Sequence, residues 1–144
     1  MTSDSNRQRL FRRMLAREAG TDADVPAIAA AARRACERFA NHLAPLIGDA
    51  GMAAICARSL HLTERNVPGV APVCASAQGS SRFAVLQQFL EQQEPAAATE
   101  AAVAVLATSG ELLASFIGDG LTNSLLREMW PEDFAGEATE QTLQ

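Results

Sequence analysis

From Pro95 to Trp130 the chain repeats apolar side chains at helical intervals with few charges between them. Val103, Leu106, Gly110, Leu113, Ile117, Gly120 and Ser124 alternate steps of three and four. Val105, Leu112, Phe116, Leu121 and Leu125 widen that stripe until most of the circumference is apolar. A helix of this kind needs cover on nearly every side, and the middle of a helical bundle supplies it. The window Ala101 to Leu121 is interrupted by Glu111 and Asp119. Each would cost about 2.5–3.5 kcal/mol at a bilayer centre, so the expectation is a core helix and no membrane span.

The rest of the composition agrees with that reading. The chain has 144 residues with 29 alanines, no lysine, no tyrosine and 5% aromatics, which disfavours a sandwich or a large sheet. The predicted fold is all-α: a bundle of about five helices with a long, apolar C-terminal central helix. One domain is expected over residues 1–131, followed by an acidic, mobile tail over 132–144.

A first helix is predicted from Asp4 to Ala19, with Leu10, Phe11, Met14 and Leu15 as its apolar stripe. A second starts near Asp24, with Pro26 in its first turn, and finishes around Pro45 and Gly48. Asp49 is placed to cap a third, which stops near Asn66 ahead of Pro68. Val67 to Ser81 reads as the longest loop, and a short fourth helix with Phe83, Leu86, Phe89 and Leu90 inward ends at Glu94 and Pro95. Gly118-Asp119-Gly120 could break the last helix, but the apolar spacing on both sides favours one continuous rod. Asp119 then lines up with Glu111 and Ser115 as a polar stripe, solvent-facing or, if buried, in need of an arginine partner.

Chemistry-bearing motifs are sparse. No G-x-S-x-G, no phosphate-cradling glycine loop and no metalloprotease motif occurs, so the chain reads as non-catalytic. His42 and His61 are isolated, and Cys36, Cys56 and Cys74 are widely spaced; neither a metal site nor a cofactor is expected. An odd cysteine count and a polar start without an apolar signal core point to the cytoplasm.

Three groups of residues remain as candidate sites. Arg9, Arg13 and Arg17 recur every fourth residue on the first helix, with Arg7 and Arg12 beside them. Residues 1–20 carry five arginines against two acids, whereas residues 83–144 carry ten acids against one arginine. The basic helix is therefore expected on an acidic surface, its own C-terminal half or a protein partner, rather than on nucleic acid. Arg9, Arg13, Arg17, Phe11, Met14 and Trp130 are the expected interaction residues, with a homodimer as the expected assembly. Arg58, His61 and Arg65 share one helix face and form a candidate anion or phosphoryl site. A phosphotransfer bundle would place a lysine and a glycine where Glu64 and Arg65 stand. Glu111, Ser115 and Asp119 form a candidate polar pocket. These features support a helical interaction or regulatory module that self-associates, with phosphotransfer on His61 or small-molecule sensing near Asp119 as alternatives.

Ile117-Gly118-Asp119-Gly120-Leu121-Thr122, Leu125-Leu126-Arg127-Glu128 and Trp130-Pro131, together with Arg58-Ser59-Leu60-His61-Leu62, cover about a fifth of the chain. In these segments it resembles small, uncharacterised helical proteins of bacteria. That resemblance implies a helical fold and brings no activity with it.

Overall fold

A computed structural model describes residues 3–20, 22–70 and 81–134. Five helices follow one another: α1 (Ser3–Ala19), α2 (Val25–Thr63), α3 (Ser81–Glu91), α4 (Pro95–Ile117) and α5 (Asp119–Met129). A last helical turn covers 131–134, and no strand occurs among the described residues. The architecture is an all-α bundle built around a long apolar helix, α4. Residues 71–80, and with them Ser80, Cys74 and most of the expected loop, lie outside the described residues, as do 135–144 of the expected tail.

Local signals account for most helix ends. Asp24, in extended geometry, accepts a hydrogen bond from the Ala27 amide at 3.0 Å, and Pro26 occupies the first turn of α2. The predicted division between second and third helices appears as a break inside α2 at Gly48 (φ 82°, ψ 162°). Only glycine enters that region cheaply. The first limb buries Ile28, Ala31, Ala32, Ala35, Phe39 and Leu43; the second buries Met52, Ile55, Ser59, Leu60 and Thr63. Small alanine side chains allow the neighbouring helix to approach closely.

α4 lies where its composition demands. From Ala101 to Gly110 nearly every residue is buried, and α1 and α2 form its principal cover. Ser59 ties α2 to α4 inside this apolar layer: its hydroxyl donates to the Val105 carbonyl (3.0 Å) and accepts from Ser109 (2.9 Å). Both hydroxyls are thereby satisfied, which buried polar groups require. By length and composition α2 and α4 are each apolar enough to cross a membrane, a property that core helices of soluble bundles share.

Two expectations are corrected. The stretch from Pro95 to Trp130 is not one rod, because Gly118 (φ 92°, ψ 158°) ends α4 and begins α5. The apolar spacing survives the break because α5 turns Leu125, Leu126 and Met129 back into the core on a new axis. The domain also extends beyond residue 131: Asp133 and Phe134 are buried, and the amides of both bond to the Trp130 carbonyl. Phe134 completes an aromatic cluster with Phe11 and Trp130, with ring centroids 5.4 Å and 5.6 Å from Phe11 in edge-on geometry. Such pairs contribute about 0.5–1.5 kcal/mol each beyond area burial.

The break predicts opposite signs for two neighbouring substitutions. A Cβ at either Gly118 or Gly120 would meet nothing within 4 Å, so sterics between residues do not decide. Gly118→Ala forces a side chain into a glycine-only conformation and should cost about 1–3 kcal/mol in urea unfolding. Gly120→Ala, inside the helix, should stabilise by about 0.4–1 kcal/mol. Equal effects would contradict the break.

Candidate functional site

The polar stripe on the last helices resolves into a clasp. Arg7 is 2% exposed and its guanidinium donates to both Glu111 and Asp119, the latter at 2.6 Å. One arginine thus joins α1, the middle of α4 and the first residue of α5 across the Gly118 break. The buried member is the cation: the Asp119 side chain is 63% exposed and Glu111 41%. Arg7 Nε has no partner, so the carboxylates answer only the two terminal nitrogens. Gly110 leaves room for the arm, since a Cβ there would sit 3.3 Å from Arg7 Cδ. Ser115 stays outside the cluster, exposed and donating to its own helix at the Leu112 carbonyl.

The arginine stripe of α1 is largely spent inside the chain. Arg17 pairs with the buried carboxylate of Asp133 at 2.6 Å, and Arg13 donates to the Asp133 carbonyl at 2.9 Å. Arg12 forks onto both oxygens of Glu100 at 2.7 and 3.1 Å. These hydrogen bonds raise the pKa of Arg17 and of Arg12 above the ordinary guanidinium value. Arg9 is exposed and donates to Asn6. Of the expected interaction residues, Phe11, Met14 and Trp130 are core side chains, at most 1% exposed. They seal the bundle end, so no partner reaches them in this conformation. Of the other side chains singled out in α5, Leu125 is buried, whereas Leu121 is 54% exposed.

Arg58 and His61 are exposed on α2, whereas Arg65 is exposed in the turn after the helix ends at Thr63. The neighbouring Glu64 faces the following turn and accepts from the Gly69 amide at 2.8 Å. His42, on the first limb, lies 3.0 Å from Glu128. Among the described residues no three His, Cys, Asp or Glu side chains gather into a set that could hold a metal ion.

A concavity absent from the sequence reading lies elsewhere. α2 from Ile47 to Arg58 and the C-terminal end of α4 leave between them a groove of about 550 Å³. Ile47, Gly51, Ala54, Ile55 and Arg58 line one side, and Leu112, Leu113 and Phe116 the other. Among the described residues that line it, Arg58 is the charged one. Phe116 stands 74% exposed at this groove, an unusual position for a large ring. Both glycine breaks flank it, Gly48 beside Ile47 and Gly118 two residues beyond Phe116. The advance signal for it is Leu112 and Phe116 on the widened apolar stripe of the last helical stretch.

No family model, curated protein or solved structure matches this chain. The functional argument therefore rests on the groove, the clasp and the thiols alone. A second, smaller and partly open cavity of about 30 Å³ touches Cys36, Cys56, Ser59, Arg82 and Ser109. It has room for about one water and no organic ligand. Burial raises the Cys56 thiol pKa, and the nearby Arg82 only partly offsets this.

Two outcomes follow. With both carboxylates neutralised, Glu111→Gln with Asp119→Asn strands a buried guanidinium and should cost about 3–5 kcal/mol in chemical unfolding. Arg7→Met keeps the volume and frees two half-exposed carboxylates to hydrate, so it should stay within about 1 kcal/mol of wild type. With Cys36→Ala and Cys74→Ala leaving one thiol, Cys56 should react with a disulfide reagent more slowly than a small free thiol at pH 8. Because its folded pKa is raised, the native state should lose stability as pH climbs through the thiol range, between the unfolded and folded values.

Proposed function

We propose that this chain is a non-catalytic helical module that takes up a small apolar molecule in the groove between α2 and α4, and so acts as a sensor. The groove itself carries the reading. Its volume of about 550 Å³ falls among the sizes typical of small-molecule sites, and apolar side chains dominate its lining. The interaction surface expected on α1 is occupied by the chain's own acids and core, which moves the binding role to this face.

The flanking glycines supply a means of response. A guest touching Ile47, Ala54, Leu112 and Phe116 contacts both walls, each of which ends near a break that glycine alone tolerates. A guest that fits one angle at Gly48 or Gly118 better than another shifts the population of that angle. α5 is coupled to the same point, since Asp119 follows Gly118 directly and is held by Arg7.

Nile red, a neutral apolar dye, should bind one to one with blue-shifted emission. Ala54→Trp, which fills the groove from an exposed position, should abolish that signal while leaving helicity and Tm unchanged. An unshifted dye would overturn the reading. A doubled mass by light scattering that returns to monomer in Phe116→Ser would assign the groove to a second copy and overturn it equally.

A further inference from the structure

We propose that the groove selects an amphipathic anion: a free medium-chain carboxylate whose head pairs with Arg58 while its chain lies along Ile55, Leu112 and Phe116. This rests on the groove reading above and adds the chemistry of the guest. Arg58 is exposed, lines the groove, and makes no hydrogen bond or ion pair among the described residues. The carboxylates on the facing helix are already engaged elsewhere. Glu111, next to Leu112 in the wall, is held by Arg7, and Glu100 is held by Arg12. Of the acids on Arg58's own helix, Glu37 pairs with Arg33, and Asp49, nine residues before Arg58, lies half a turn round the helix from it; Glu64, just past the helix end, accepts from the Gly69 amide. Among the described residues Arg58 therefore stands at an apolar wall with no acceptor for its donors.

A guanidinium presents parallel N–H groups that match the two oxygens of a carboxylate. His61 follows on the same helix face, and Arg65 lies exposed in the turn beyond the helix end, where the adjacent Glu64 is engaged by the Gly69 amide. A compact inorganic anion would leave the apolar walls uncovered, and a neutral chain would leave Arg58 unanswered. An apolar chain with a carboxylate at one end satisfies both.

Competition against Nile red at pH 7.5 tests this with decanoate, its neutral amide decanamide, and decyltrimethylammonium, all below their aggregation concentrations. Decanoate should displace the dye at about tenfold lower concentration than decanamide, and decyltrimethylammonium should be the weakest. Within Arg58→Gln, decanoate should fall level with decanamide, each measured against that variant's own Nile red affinity. Parity of decanoate and decanamide in the wild type, or a preference that persists in Arg58→Gln, would overturn the carboxylate assignment and leave the groove reading standing. Failure of Nile red to bind would remove the groove reading itself. Capture by phosphatidylglycerol vesicles that is lost in Arg58→Gln, without displacement by decanoate, would transfer Arg58 to a membrane surface and overturn the proposal.

Discussion

Burial of α4 is the constraint from which the other features descend. A helix apolar around most of its circumference is stable in water only when neighbours cover it, and the dominant gain is removal of that surface from solvent. α1 and the two limbs of α2 do this over Ala101 to Gly110, helped by alanine-rich faces that allow short interhelical distances. Cover thins toward the C-terminal end, where Phe116 is left open. The groove is the region that the described helices leave uncovered.

Electrostatics refine this arrangement rather than drive it. α1 is basic and the C-terminal half acidic, and the two meet within the chain: Arg7 with Glu111 and Asp119, Arg12 with Glu100, Arg17 with Asp133. Exposed pairs such as Arg12–Glu100 contribute little each. Arg7 differs, because a buried cation that lost its partners would be costly, so its contacts specify how α1, α4 and α5 meet. The same pairing sets the character of the groove. With the acids of α4 engaged by α1, Arg58 is the charge left facing the apolar walls.

The residues that were misassigned show why local pattern has limits. Phe11 and Met14 lie on the apolar stripe that periodicity identifies, yet a stripe can cover a core or greet a partner, and only the rest of the fold decides. Trp130 stood at a predicted helix end, where both roles were open; Phe134, expected in a tail, closes the cluster and makes it core. In the sequence Arg7 stands beside the Arg9, Arg13 and Arg17 stripe, which is expected on an acidic surface. Its spacing to Phe11 and Met14, four and seven residues, placed it equally on the buried face. Only the position of Glu111 opposite it distinguishes the two.

The amino-acid pattern by itself determined an all-helical chain, a helix start near Asp24, the division near Gly48, and a central apolar helix. These follow from interactions spanning a few residues: side-chain periodicity, capping hydrogen bonds, and the restricted angles of proline and glycine. Tertiary structure decided whether Gly118 bends, which arginine enters the core, and where the groove lies. Each of those depends on groups about a hundred residues apart in the chain or on cover that is missing. No local spacing encodes a space that distant helices fail to fill.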